Sequence, residues 1–85
     1  MNRKELEQEI IKIVAYQISY DVNEITTSEN FINDLGFDSL DGVELIMGIE
    51  DKFDLSVEDE DFYRLTTVDL VADYVEKNDS NISIR

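Results

Sequence analysis

The chain has 85 residues with neither Cys nor His, which excludes disulfides, thiolate metal sites, cysteine nucleophiles and imidazole acid/base chemistry from the protein itself. Its 21 acidic residues against 7 basic ones leave a formal net charge of −14, which repels nucleic acid and anionic lipid and suits a basic protein surface. This length holds one domain with a modest core, and 42% apolar residues set at regular spacings argue for a folded domain rather than a disordered acidic chain. The segment from Met1 to Glu7 has no apolar h-region, and no stretch approaches membrane-spanning length. A soluble cytoplasmic protein without membrane insertion is therefore expected.

Asn2 followed by Glu5 has the spacing of a capping box, and Leu6, Ile10, Ile13 and Val14 recur at helical spacing. Helix I is placed at 3–18. From Ser19 to Asn33 the chain is rich in Ser, Thr, Asn and Asp, whose side chains compete for backbone hydrogen bonds and favour turns. A long loop is expected there, pinned by Ile25, Phe31 and Ile32. Gly36 suits a sharp turn at positive φ just before helix II at 39–53. The run Glu58-Asp59-Glu60-Asp61 places carboxylates at the positive start of a short helix III. Thr66 or Thr67 can cap helix IV, whose Val68, Val71, Ala72 and Val75 share a face. The polar tail 78–85 is expected to fray. With no convincing strand alternation and no Pro, the fold class is all-α, a bundle of three main helices plus a short fourth.

Helix II has two apolar faces. At 100° per residue from Gly42, Leu45, Ile46, Ile49 and Phe53 fall within about 60° of one direction, an ordinary core stripe. Leu40, Val43 and Met47 fall on the opposite side, among Glu44, Glu50, Asp51 and Asp54. Single exposed apolar residues are normal, and acids usually form a solvated face. The functional alternative is a docking surface in which apolar residues supply contact area, Met adapts to differently shaped partners, and carboxylates steer Arg- and Lys-bearing proteins.

Ser39 follows Asp38 at the expected start of helix II. By itself it reads as a helix cap or first-turn serine. A phosphate on its hydroxyl would, however, lie near unpaired backbone N–H groups at the positive end of the helix. The run from Phe31 through Asp34-Leu35-Gly36-Phe37-Asp38-Ser39-Leu40-Asp41 to Leu45, continued through Ile46 to Phe53 and resumed at Leu65-Thr66-Thr67-Val68, resembles the signature of acyl carrier proteins. The likeness spans roughly residues 3 to 77 and agrees with the helix boundaries above.

The resemblance implies an acyl-carrier-like bundle over residues 1–77 with a long loop between helices I and II. It also implies that a separate Mg²⁺-dependent phosphopantetheinyl transferase attaches 4′-phosphopantetheine from coenzyme A to Ser39, beside Asp38. The arm's thiol would carry acyl groups as thioesters, most simply for fatty acid biosynthesis. Leu40, Val43 and Met47 match the family's apolar docking positions, and Asp41, Glu44, Glu50 and Asp51 its acidic ones. The implied partners are acyl-processing enzymes with basic patches, met by a monomer that is itself no enzyme and has no metal site. An acyl pocket is implied too, with Leu45, Ile49, Phe62 and Leu65 as candidate lining. Phe62-Tyr63 is bulkier than the family's usual small residue there, and Phe62 is expected to reach into the space left by Gly42.

Two alternatives stand beside this reading. One is a specialised carrier for polyketide, lipid or other secondary pathways, and the other an acidic adaptor that is never modified. A calcium loop starting at Asp51 fails, because Phe53 falls at the third ligand position and Ser56 where a Gly is required.

Overall fold

A computed structural model describes residues 1–78 of the chain. Helix α1 (Arg3–Ile18) begins at the expected capping box: the Glu5 N–H donates to Asn2 Oδ1 at 2.8 Å, and the Asn2 N–H donates to Glu5 Oε1 at 3.1 Å. These bonds satisfy donors that a helix start leaves orphaned. The helix ends on Ser19 in the left-handed conformation at φ 59°, with the Tyr20 N–H closing onto the Ala15 carbonyl at 3.0 Å. A 3₁₀ turn (Val22–Glu24) follows.

The loop between the first two long helices is tied down at several points. Asn30 Oδ1 accepts from the N–H groups of Ile32 and Asn33, each at 2.9 Å. The Phe31 N–H donates to the Thr66 carbonyl at 2.9 Å, and the Asp69 N–H to the Thr27 carbonyl at 3.0 Å, joining the loop to the last helix and the turn before it. Ile25 and Phe31 are buried as expected, but Ile32 is 58% exposed. The Asn30 turn points Ile32 outward, so the third loop anchor is Phe37, stacked on Phe31 with ring centroids 5.3 Å apart. Gly36 takes φ 76° to make the turn into α2 (Ser39–Phe53).

Helix α2 ends at Asp54, also left-handed, and the short α3 (Asp59–Phe62) has no side-chain cap and no buried residue. Thr67 rather than Thr66 caps α4 (Val68–Asn78): its Oγ1 accepts from the Leu70 N–H at 3.2 Å. Asn78 closes that helix through Nδ2 on the Tyr74 carbonyl at 2.8 Å, and the remainder of the expected tail lies outside the described residues.

Helix α1 packs on both α2 and α4. Leu6, Ile10 and Val14 of α1 meet Leu45 and Ile49 of α2 and Val68, Val71 and Val75 of α4 in one core, all essentially inaccessible. Each such side chain contributes roughly 1.5–3 kcal/mol relative to leaving it exposed. At Gly48 a Cβ would stand 3.3 Å from Ile13 Cγ2, so the glycine lets α1 and α2 approach more closely than alanine would.

The helices are also linked by charge. Arg3 pairs with Glu7 on its own helix and with Asp73 and Glu76 of α4, at 2.8, 2.7 and 2.9 Å, while Nη2 donates to the Asp69 carbonyl at 3.1 Å. Glu9 takes Lys12 at 2.9 Å and Lys52 of α2 at 3.1 Å.

Candidate functional site

The first turn of α2 is built by a capping box that sequence inspection did not single out. Asp38 is the cap: its Oδ1 accepts from the Asp41 N–H at 2.9 Å, while the Asp38 N–H donates to Asp41 Oδ2 at 3.0 Å. Asp-x-x-Asp at a helix start is a shorter version of the Ser/Thr-x-x-Glu pattern, and that spacing was the available signal. Gln17 Nε2 of α1 donates to the Asp41 carbonyl at 2.6 Å and fixes the turn against the bundle.

Because Asp38 caps, Ser39 does not have to. It is the first helical residue, exposed, and its hydroxyl makes no hydrogen bond among the described residues. The N–H groups of Ser39 and Leu40 likewise have no acceptor there. An anion esterified to Oγ would therefore meet free N–H donors and the positive helix end, worth about 0.3–1 kcal/mol. The local residues fit a phosphodiester arm: a free hydroxyl, unpaired amides, and carboxylates already held by the cap.

The outer face of α2 has the expected alternation. Leu40, Val43 and Met47 are 66, 43 and 58% exposed, whereas Leu45, Ile46, Ile49 and Phe53 are buried. Glu44 and Asp51 are exposed and have no ion pair among the described residues. Asp41 and Glu50 differ from them. Asp41 is half-buried in the capping box, and Glu50 is half-buried with Oε2 accepting from the Val57 N–H at 2.8 Å, which holds the connection to α3. These two acids have structural work within the fold in addition to the charge they present.

Beside this turn is an apolar cavity of about 90 Å³ between α2, α3 and the Phe31–Phe37 loop. Leu45, Phe62 and Leu65 line it together with Gly42, Phe31, Phe37, Ile46 and Tyr63. Ile49 does not: it points into the central core at 1% exposure. A helical wheel places Ile49 near Leu45 in angle, but Ile49 lies one turn further along α2, beyond the cavity lining, and the loop phenylalanines escape any periodicity argument.

No helix among the described residues is long and apolar enough to cross a membrane. A family defined by a phosphopantetheine attachment site matches residues 8–75. An acyl carrier protein of Exiguobacterium sp. (strain ATCC BAA-1283 / AT1b) is 42% identical over 76 residues, covering 89% of this chain and 96% of its own length. The solved structure of the acyl carrier protein from Enterococcus faecalis, at 31% identity, superposes with a TM-score of 0.76 over 92% of this chain and 99% of that one. The chain belongs to the acyl carrier protein family, whose phosphopantetheine-binding domain bears a covalently attached 4′-phosphopantetheine. Proteins of this family are carriers rather than catalysts, and they interact with acyl-processing enzymes.

Proposed function

We propose that Ser39 Oγ is the attachment point and that the chain, not itself an enzyme, presents acyl groups to enzymes of fatty acid biosynthesis. When bound, the arm's terminal thiol holds each acyl group as a thioester. Its need is plain in a chain with no Cys, whose serine hydroxyl is a poor acyl carrier.

The carrying observation is that Ser39 stands first in α2 with an exposed hydroxyl that the Asp38 cap leaves free. Asp38 and Asp41 hold the helix start in shape, and the adjacent Asp38 gives a transferase a carboxylate to recognise. Leu40, Val43 and Met47 supply apolar contact, while Glu44 and Asp51 attract basic patches on partners. Asp41 and Glu50 add to that field from their structural positions. Such steering raises association rates and weakens with salt, which suits a carrier that must visit several enzymes in turn. A monomer acting in the cytoplasm completes the proposal.

Incubation with coenzyme A, Mg²⁺ and a promiscuous phosphopantetheinyl transferase, followed by intact mass, tests it. One arm per chain is expected on the unaltered protein and none on Ser39→Ala. No gain, or a gain that persists in Ser39→Ala, overturns the assignment.

A further inference from the structure

We propose that Phe62 is the size-limiting wall of the cavity beside Ser39, so that this carrier shelters only the first few carbons of its cargo. The proposal rests on the reading of Ser39 as the attachment residue. Gly42 lies three residues beyond Ser39, about 4.5 Å further along the helix axis, so the cavity lies beside the end of α2 where a cargo would be tethered.

Three sides of the cavity are fixed. Leu45 and Ile46 are buried in α2, Phe31 and Phe37 stack on one another, and the Phe31 N–H is bonded to the Thr66 carbonyl. Phe62 completes the lining together with Tyr63, Leu65 and Ile32. The Phe62 Cζ lies 3.6 Å from where a Cβ of Gly42 would stand, so the ring packs at ordinary contact distance over this turn of α2. Tyr63 meets the ring edge-on at 5.4 Å and is itself largely exposed. What remains is about 90 Å³. That is smaller than the roughly 150 Å³ apolar cavity that takes up a benzene ring, and it leaves room for only a very short alkyl segment.

Among the lining side chains, Phe62 alone belongs to the least anchored helix, α3. The α3 segment has only four residues, no side-chain cap and no buried member. Shortening Phe62 enlarges an apolar cavity without touching Ser39, its cap or the exposed face of α2.

The test uses the full chain carrying a mass-verified arm, loaded with saturated acyl groups from butanoyl to dodecanoyl. Thioester cleavage by hydroxylamine reports solvent access, and the methyl NMR shifts of Leu45 and Leu65 report entry into the cavity. The unaltered carrier should protect butanoyl best, with no further protection and no further methyl shift beyond hexanoyl. Phe62→Ala should move maximal protection to longer chains, slowing octanoyl cleavage several-fold, and Phe62→Leu should fall between. Phe62→Leu carries the comparison if the alanine variant does not fold. Superimposable chain-length profiles for the parent and its variants overturn the inference while leaving the carrier assignment intact. Failure to gain the arm overturns both.

Discussion

Arg3 Nη1 lies 2.7 Å from Asp73 Oδ1, joining the first turn of α1 to the middle of α4 across a sequence separation of 70 residues. The same guanidinium bonds Glu7 and Glu76 and lies 3.7 Å from Asp69 Oδ1. Its hydrogen bond with Glu7, followed by that with Asp73, holds Arg3 even more firmly protonated than an ordinary arginine. In a chain of net charge −14, one cation relieves repulsion among four carboxylates.

Arg3→Gln should therefore cost more than an isolated surface pair, about 1–2 kcal/mol, because it strands a network of acids. At about 4–8 °C per kcal/mol for a domain of this size, thermal unfolding monitored by circular dichroism resolves the loss. Arg3→Lys should recover only part of it, since an ammonium lacks the planar fork. An unchanged melting temperature in Arg3→Gln would show the network to be energetically silent.

Glu9 supplies a pH signature. Its hydrogen bonds with Lys12 and then Lys52 hold its carboxyl below the ordinary glutamate range. A depressed folded value means stability that is fully present above the unfolded value and lost as pH falls through the folded one. The stability gap between the parent and Glu9→Gln should stay constant above about pH 5.5 and close as pH drops below the ordinary glutamate range near 4.3. Urea titrations at several pH values read this directly, and a gap that widens on acidification would contradict it.

Asp54 places a carboxylate at the negative end of α2 in a left-handed conformation. Asn tolerates that conformation and removes the unfavourable charge, so Asp54→Asn should stabilise by about 0.3–1 kcal/mol. A lower unfolding midpoint for this variant would count against the dipole argument.

The two glycines inside α2 should respond differently to alanine. At Gly42 the new Cβ meets only the Phe62 ring at ordinary contact distance, so most of the roughly 1 kcal/mol helix-propensity gain should survive. At Gly48 the Cβ would press on Ile13 Cγ2 at 3.3 Å, a branch held stiffly by its own helix. Gly42→Ala should melt above the parent, and Gly48→Ala should melt below Gly42→Ala.

Salt should act on the whole charge distribution. Screening relieves long-range repulsion among the acids more than it weakens close pairs such as Arg3–Asp73. The melting temperature should rise from low to moderate ionic strength, and a flat response would sink the expectation.

Local patterns were sufficient for much of this protein. The capping box of Asn2 and Glu5, the turn at Gly36, the bounds of α1 and α2 and the opposed faces of α2 all depend on neighbours within one turn, so residue order determines them. The all-α class and the exposure of Ser39, Leu40, Val43 and Met47 follow from the same short-range periodicities. Tertiary contacts decided the rest. Ile32 faces outward because Asn30 bonds the two amides after Phe31, Glu50 turns back to the Val57 N–H, and Ile49 is buried in the core outside the cavity that Leu45 lines. The Phe62 ring over Gly42 and the Arg3 bonds to α4 join residues 20 and about 70 positions apart. Periodicity tells which way a side chain points along one helix, but only the packing of helices and loops in three dimensions sets what it meets and how much space is left.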